Sequence, residues 1–215
     1  MKLNLLRFCV LGAMAFSVAL AARADTLYDN LTATSSGTDP IASPFGPLAD
    51  SFATGSSAFT LNTVVLDLVD DSPSDGGSIT VTLYSDSSTS PGVPLDTIGT
   101  ILDSSLNSSL SDVTLTPDIE LSADTTYWIE LTGIGGSSAD WSYSLDTSGT
   151  GVAGQYIYYN DGVHSDGVDG AFQMELEGVE GATAATPEPS SLLLLGSGLS
   201  ILAASLRRRR FAGRA

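Results

Sequence analysis

The chain has 215 residues, with 25 Asp or Glu against eight Lys or Arg, and a formal net charge of −17. Residues 25–186 hold 24 of the acidic residues and no Lys or Arg, so no ion pair with a basic side chain can form inside this stretch. Nucleic acid is all but excluded as a partner, because phosphate binding depends on Lys and Arg. Phosphorylated or carboxylated small substrates are disfavoured for the same reason.

The N-terminal 24 residues have the pattern of a secretory signal peptide. Lys2 and Arg7 supply positive charge and an apolar run follows. Small residues then precede a cleavage site that we predict between Ala24 and Asp25. The alternative, an uncleaved anchor helix, is disfavoured by the shortness of the run. Cys9 is the chain's one cysteine and leaves with the signal peptide, so the exported chain has no disulfide.

Residues 25–178 alternate apolar and polar side chains with a period of two, which predicts β-strands. The predicted strands lie at 64–69, 77–86, 125–133, 140–146, 154–161 and 170–178. In the fourth of these, the predicted apolar face consists of Trp141, Tyr143 and Leu145. Gly, Ser, Asp and Pro turns separate the strands, and no helical period occurs. We predict an all-β fold, a single antiparallel, jelly-roll-like β-sandwich over residues 25–178.

Two acid-rich loops of this domain are candidates for calcium binding, because calcium prefers oxygen ligands. The candidate ligands are Asp70, Asp71 and Asp75 in the first loop, and Asp161, Asp166 and Asp169 in the second. Neither loop has EF-hand spacing. The alternative is that these are polar turns in which Asp side chains accept hydrogen bonds from the backbone. The sequence requires no cofactor, and calcium is the one that it suggests.

Several aromatic residues fall on the polar faces of predicted strands, where they could stack on sugars. These candidate glycan-binding residues are Trp128, Tyr84, Tyr156 and Tyr158. The alternative is that other strands cover this face and that Trp128 belongs to the core.

Catalytic machinery is sparse, and we predict no catalytic residues and no enzyme. The exported chain has no Cys or Lys, lacks a G-x-S-x-G motif, and has one histidine, His164, in a predicted loop. The competing hypothesis is a secreted glycan hydrolase. It would use Glu175 and Glu177, which share one strand face, or a Ser-His-Asp triad that includes His164.

The C-terminal part begins with a linker of small residues at 179–186 and continues as PEPSSLLLLGSGLSILAASLRRRR. Residues 191–206 carry no charge. As a helix they would be about 24 Å long, which is short for a hydrocarbon core of about 30 Å. The four arginines that follow favour a cytoplasmic tail and an exported body. A short span with a basic stop is typical of a signal that is processed, in the way that glycolipid-anchor signals are.

This tail resembles the PEP-CTERM sorting signal of Gram-negative bacteria. The matching residues are Pro187, Glu188 and Pro189, the apolar stretch 191–206, and Arg207, Arg208, Arg209 and Arg210. The resemblance implies recognition by an exosortase, cleavage near the Pro-Glu-Pro, and transfer to the surface of a cell that produces extracellular polysaccharide. The alternative is an ordinary tail anchor in which the Pro-Glu-Pro occurs by chance.

The body is similar to choice-of-anchor domains of bacterial surface proteins. The similarity rests on LYDNL, TTYWIELTG, DWSYSLD and SGTGVAGQYIYYNDG. It implies a β-sandwich in an exported protein, and it brings no known catalytic residues.

These observations together predict an exported cell-surface or extracellular-matrix protein, a non-catalytic binding or structural module of the exopolysaccharide layer. Its expected partners are the secretion machinery, an exosortase-like enzyme, the membrane before processing, and exopolysaccharide. The alternatives are the hydrolase and a coat protein that assembles with calcium.

Overall fold

The computed structural model describes residues 24–181 except Asp71, Asp75 and Asp161. Residues 1–23 of the predicted signal peptide, residues 182–186 of the predicted linker, the apolar stretch and the arginines lie outside the described residues. The predicted cleavage site falls at the start of the first strand, which begins at Ala24. No helix within the described ranges is long and apolar enough to cross a membrane.

Short β-strands make up most of the described chain. In chain order they are β1 (Ala24–Asp29), β2 (Gly37–Pro40), β3 (Leu48–Ala53), β4 (Phe59–Asp70), β5 (Ser78–Asp86), β6 (Pro91–Leu102), β7 (Ser111–Leu115), β8 (Ile119–Leu121), β9 (Thr126–Ile134), β10 (Ala139–Ser144), β11 (Tyr156–Tyr159), β12 (Gly162–Ser165), β13 (Ala171–Phe172) and β14 (Met174–Glu180). The last strand ends two residues beyond the predicted domain boundary at 178.

The strands form two antiparallel sheets. Sheet A has eight strands, with β1, β14, β4, β10 and β13 in that order, β2 beside β10, and β7 and β8 beside β4. Sheet B has six strands in the order β12, β11, β3, β9, β5 and β6. Apolar side chains from both sheets meet in one core, which confirms the predicted all-β sandwich.

The predicted alternation matches the core in most strands. On β5, Ile79, Val81 and Leu83 are buried in the core, as the sequence predicts. The prediction was wrong for Leu145, which is 63% exposed because β10 ends one residue earlier, at Ser144.

Two short helical turns interrupt the strands, although the sequence shows no helical period. A 3-10 turn spans Asp103–Ser105, and α1 spans Asp166–Asp169 between β12 and β13. Gly170 ends α1 with a φ of +94°, a conformation that favours glycine. This turn directs the chain back into sheet A at β13.

Candidate functional site

A cleft of about 250 Å³ lies between the two sheets, where β2 and β10 of sheet A face β11 and β12 of sheet B. We call it the acidic cleft. Its lining residues are Asp39, Phe45, Tyr143, Tyr159, His164 and Asp169. The fold brings them together from β2, the following loop, β10, β11, β12 and α1.

On one wall of the acidic cleft, a tyrosine of sheet B contacts an aspartate of sheet A. The Tyr159 hydroxyl donates a hydrogen bond to Oδ2 of Asp39 over 2.9 Å. Burial raises the pKa of the Tyr159 phenol, and the Asp39 charge raises it further, so the hydroxyl keeps its proton. Burial also raises the pKa of Asp39, partly offset by this hydrogen bond. The contact links β11 of sheet B to β2 of sheet A.

His164 and Asp169 form a second pair in the cleft. His164 Nδ1 is 3.0 Å from Asp169 Oδ2, and the two side chains are 34% and 41% exposed. The His164 ring meets the ring of Tyr159 edge-on, with centroids 5.4 Å apart. The imidazole therefore lies between an acidic and an aromatic neighbour, with a side open to solvent.

The aromatic residues of the cleft pack against the hydrophobic core. The Phe172 ring packs edge-on against Tyr159, with centroids 5.6 Å apart, and stacks on Trp141 at 4.5 Å. Tyr143 lies over β2, where a Cβ on Gly37 would come within 2.8 Å of the Tyr143 hydroxyl oxygen. Phe45 remains 47% exposed. The cleft thus combines a rigid floor with an accessible rim.

The four predicted glycan-binding residues share one face of sheet B, its outer face, away from the acidic cleft. The strand register aligns Tyr84 with Trp128, and Trp128 with Ser51, whose hydroxyl accepts a hydrogen bond from the backbone N–H of Tyr156. Tyr158 lies two residues further along on the same face. The fold therefore brings together four residues that the sequence assigned to three separate strands.

Burial contradicts the role of Trp128 as an exposed platform. Its ring has no exposed surface, and its Nε1 donates to Asp86 Oδ1 over 2.9 Å. The alternative, a buried structural tryptophan, is what the structure shows. Tyr84 is half-buried and interacts with the carboxylate of Glu130, while Tyr156 is 36% exposed.

The two predicted calcium loops do not form compact acidic clusters among the described residues. Asp70 is buried, and its Oδ1 accepts hydrogen bonds from the Ser72 N–H and the Ser138 hydroxyl, both over 2.7 Å. Asp166 is buried and Asp169 contacts His164. In residues 24–70, 72–74, 76–160 and 162–181, no three His, Cys, Asp or Glu side chains are grouped closely enough to bind a metal. Asp71, Asp75 and Asp161 lie outside these ranges.

The acids of the hydrolase hypothesis lie elsewhere. Glu175 and Glu177 are on β14 in sheet A, in strand positions paired with Asp29 and Thr26 of β1. Burial raises the pKa of Glu175, and the charges of Asp29, Glu177 and Asp112 add to this shift. His164 and Glu175 therefore belong to different parts of the fold, and the carboxylates beside His164 are Asp39 and Asp169.

Comparison with known proteins decides the identity of the tail. Residues 185–210 match the PEP-CTERM protein-sorting motif. The chain carries a PEP-CTERM sorting signal. It is therefore an exported protein, processed by an exosortase-type enzyme and directed to the cell surface or the extracellular space. No curated protein matches the chain.

The PEP-CTERM match covers the tail alone. The candidate site in the acidic cleft is therefore identified from the structure of the body. The sequence pattern does not reveal Asp39, because β2 is a four-residue strand without alternation. The prediction also missed Asp50, a buried residue of β3 that lies between Leu48 and Phe52 in the apolar alternation. A lone Asp at an inward position is a signal that could have identified the second of these residues.

Proposed function

We propose that the body of this PEP-CTERM protein is a non-catalytic module that binds neutral segments of extracellular polysaccharide in the acidic cleft. One observation carries the proposal: three aromatic rings, two carboxylates and an imidazole line one accessible cleft between the sheets. The proposal places the protein in the polysaccharide layer of a Gram-negative cell, after transient anchoring through residues 191–206.

The chemistry of the cleft suits a sugar. The faces of aromatic rings pack against the C–H surfaces of pyranose rings, and carboxylates accept hydrogen bonds from hydroxyl groups. Phe45 supplies an exposed ring, while Asp169 supplies an exposed carboxylate. The volume of about 250 Å³ lies just below the range of about 300–1,000 Å³ typical of small-molecule sites. A cleft of this size accepts a short segment of a polymer.

Charge defines the class of polymer. Residues 25–186 contain 24 acidic residues and no Lys or Arg, and two of the acids line the cleft. A polyuronate would bring further negative charge to this site without any cation to receive it. The preferred ligand is therefore a neutral polysaccharide, with hydroxyl groups as donors.

Co-sedimentation tests this proposal. The full-length chain in detergent is incubated with polysaccharide extracted from the producing bacterium, with dextran and galactomannan as neutral polymers, and with alginate as a polyuronate. We expect binding to the producer's polymer, and competition by neutral fragments of that polymer but not by alginate. Phe45→Ala should weaken binding about tenfold, as expected when one aromatic anchor is lost.

Tyr156→Ala is the matched control, because Tyr156 is an exposed aromatic on β11 that faces away from the cleft. This variant should bind as the unmodified chain does. Equal losses in the two variants, or stronger binding to alginate than to neutral polymers, would contradict the assignment to the cleft. Failure to bind the producer's polymer would show that the proposal is wrong.

A second candidate, a glycan hydrolase, is favoured by one observation: Asp39 and Asp169 line the same cleft, and glycosidases use paired carboxylates. Release of reducing ends from the producer's polymer, abolished by Asp39→Asn with binding retained, would establish this activity. Binding without release of sugar supports the non-catalytic module.

A further inference from the structure

Two carboxylates lie in the interior beneath the acidic cleft, and we call them the interior pair. Asp50 of β3 has no exposed surface, and Asp166 at the start of α1 is 1% exposed. Asp50 Oδ2 accepts hydrogen bonds from the Phe172 N–H at 2.8 Å and the Tyr28 hydroxyl at 3.3 Å. Both donors belong to sheet A, so the Asp50 carboxylate points across the sandwich.

The other three oxygens of the interior pair have no hydrogen-bond partner among the described residues. They are Oδ1 of Asp50 and both carboxylate oxygens of Asp166. Asp50 pairs with Ile157 of β11, and the Asp166 N–H donates to the carbonyl oxygen of Gln155 just before the same strand, so the two carboxylates lie in one region of the interior. A buried carboxylate without partners is costly, and a second beside it adds repulsion.

Residues 24–181 contain no Lys or Arg that could balance this charge. No Lys or Arg occurs between Arg23 and Arg207, and the one histidine, His164, has its Nδ1 3.0 Å from Asp169. Only a proton or a cation taken from solution can compensate the pair.

We propose that Asp50 and Asp166 together bind one divalent cation, with calcium as the ion that best fits their chemistry. Carboxylate oxygens are hard ligands, and calcium accepts them together with neutral oxygens in an irregular arrangement. Two neutral oxygens lie beside the pair. They are the phenol oxygen of Tyr28, and the carbonyl oxygen of Gln155, which accepts a hydrogen bond from the Asp166 N–H.

The proposed site would connect the interior to the acidic cleft. The short α1 carries Asp166 at its first position and Asp169 at its last, and Asp169 contacts His164 in the cleft. A cation on Asp166 would fix α1 and with it the wall of the cleft. The cation site does not depend on what the cleft binds, so the two proposals can fail separately.

Thermal unfolding of the full-length chain in detergent tests the cation site. After treatment with a chelator, the Tm is measured without metal, with CaCl₂ and with MgCl₂ at neutral pH. An ion present at about 100 times its Kd stabilises by about 2.7 kcal/mol. For a chain of this size that corresponds to a rise in Tm of about 5–10 °C. We expect this rise with calcium, and its loss in Asp50→Asn and in Asp166→Asn.

Asp70→Asn is the matched control. Asp70 is equally buried and also has one carboxylate oxygen without a partner among the described residues, but it lies at the end of β4 in the predicted loop. This variant should keep the calcium response. Loss of the response in Asp70→Asn, with retention in both variants of the interior pair, would place the ion elsewhere and overturn the proposal.

A second measurement, on the unmodified chain, tests the cation site if the variants fail to fold. Tb³⁺ replaces Ca²⁺ and emits when a nearby aromatic ring is excited, and the Tyr28 phenol contacts Asp50 directly. We expect sensitised Tb³⁺ emission from the unmodified chain that calcium displaces, and weaker emission from Tyr28→Phe. If no calcium response and no displaceable Tb³⁺ emission occur, the interior pair holds a proton and the proposal is wrong.

Discussion

Aspartate side chains have opposite environments in the acidic cleft and in the interior pair. In the cleft, Asp39 accepts a hydrogen bond from Tyr159, and Asp169 contacts His164 while remaining 41% exposed. In the interior, Asp50 and Asp166 are almost completely buried, and three of their four oxygens lack partners among the described residues. In a body without Lys or Arg, an acid at the surface is stabilised by neutral donors and water, whereas a buried pair whose oxygens largely lack donors requires a proton or a cation.

The largest effect is expected where the two regions share a residue. Phe172 stacks on Trp141, packs against Tyr159 of the cleft, and donates its N–H to Asp50 of the interior pair. Phe172→Ala should lower the free energy of unfolding by about 3–5 kcal/mol, because a buried ring is replaced by a cavity. Urea denaturation of the full-length chain measures this change.

Phe172→Leu is the control, since it keeps the backbone N–H and part of the buried volume. It should cost less than the alanine variant and preserve the calcium response. A loss below about 1 kcal/mol in Phe172→Ala would mean that the site collapses easily around the smaller side chain. In that case the cleft and the interior pair would not depend on a common rigid support.

The sequence predicts much of the sandwich, because alternation is a local property. It identifies the inward positions Ile79, Val81 and Leu83 correctly. It does not predict β3, in which five consecutive residues are buried and both faces of the strand are covered. Asp50 went unnoticed for this reason, although Leu48 and Phe52 on either side of it belong to the core.

The cleft was harder to predict than the fold, because topology assembles it. Asp39 and Asp169 are far apart in sequence and line the same cleft because β2 pairs with β10 and α1 follows β12. No local pattern in GTDP or DGVD indicates this proximity. The prediction for Trp128 was wrong for a related reason, since the burial of a strand's outer face depends on what the rest of the chain places over it.

The next effect concerns the position of Tyr143 in the cleft. A Cβ on Gly37 would lie 2.8 Å from the Tyr143 hydroxyl oxygen and 3.0 Å from ring carbons, so Gly37→Ala should displace the ring. Overpacking of this kind costs about 1–3 kcal/mol. We expect weaker binding to the producer's polysaccharide, with the calcium response unchanged. Co-sedimentation and thermal unfolding measure the two properties.

Gly167→Ala is the matched control on α1. A Cβ there meets only the Ser165 hydroxyl oxygen, at 3.8 Å. Polysaccharide binding and stability should both change little. Equal losses of binding in the two glycine variants would indicate that the Tyr143 ring has no special role in the cleft.

A smaller effect is expected on the outer face of sheet B. Trp128→Phe removes the hydrogen bond from Nε1 to Asp86 and part of a buried ring. The expected loss of stability is about 1–2 kcal/mol. Binding to polysaccharide should be unchanged, because the cleft lies on the other side of sheet B. A selective loss of binding would restore the outer face as the glycan site.

The smallest effect separates the half-buried Asp39 of the cleft from an exposed acid by the sign of their pH dependence. Burial raises the pKa of Asp39 above its ordinary value of 3.8, so the folded state binds more protons than the unfolded state in the window above that value. The contribution of Asp39 to stability therefore falls as pH rises through this window. The Asp39→Asn variant lacks this pH-dependent contribution to stability. Its Tm relative to the unmodified chain should therefore rise between about pH 3 and about pH 7.

Asp146 provides the opposite case in the same experiment. Hydrogen bonds from the Ser148 hydroxyl and N–H lower the pKa of this exposed carboxyl, so its charged form stabilises the fold once the pH exceeds the ordinary value. The Tm of Asp146→Asn relative to the unmodified chain should therefore fall as pH rises. Because each variant is compared with the unmodified chain at the same pH, the titration of the other acids cancels. Shifts of the same sign in both variants would show that the net negative charge of the body, rather than the burial and partners of each carboxylate, determines its response to pH.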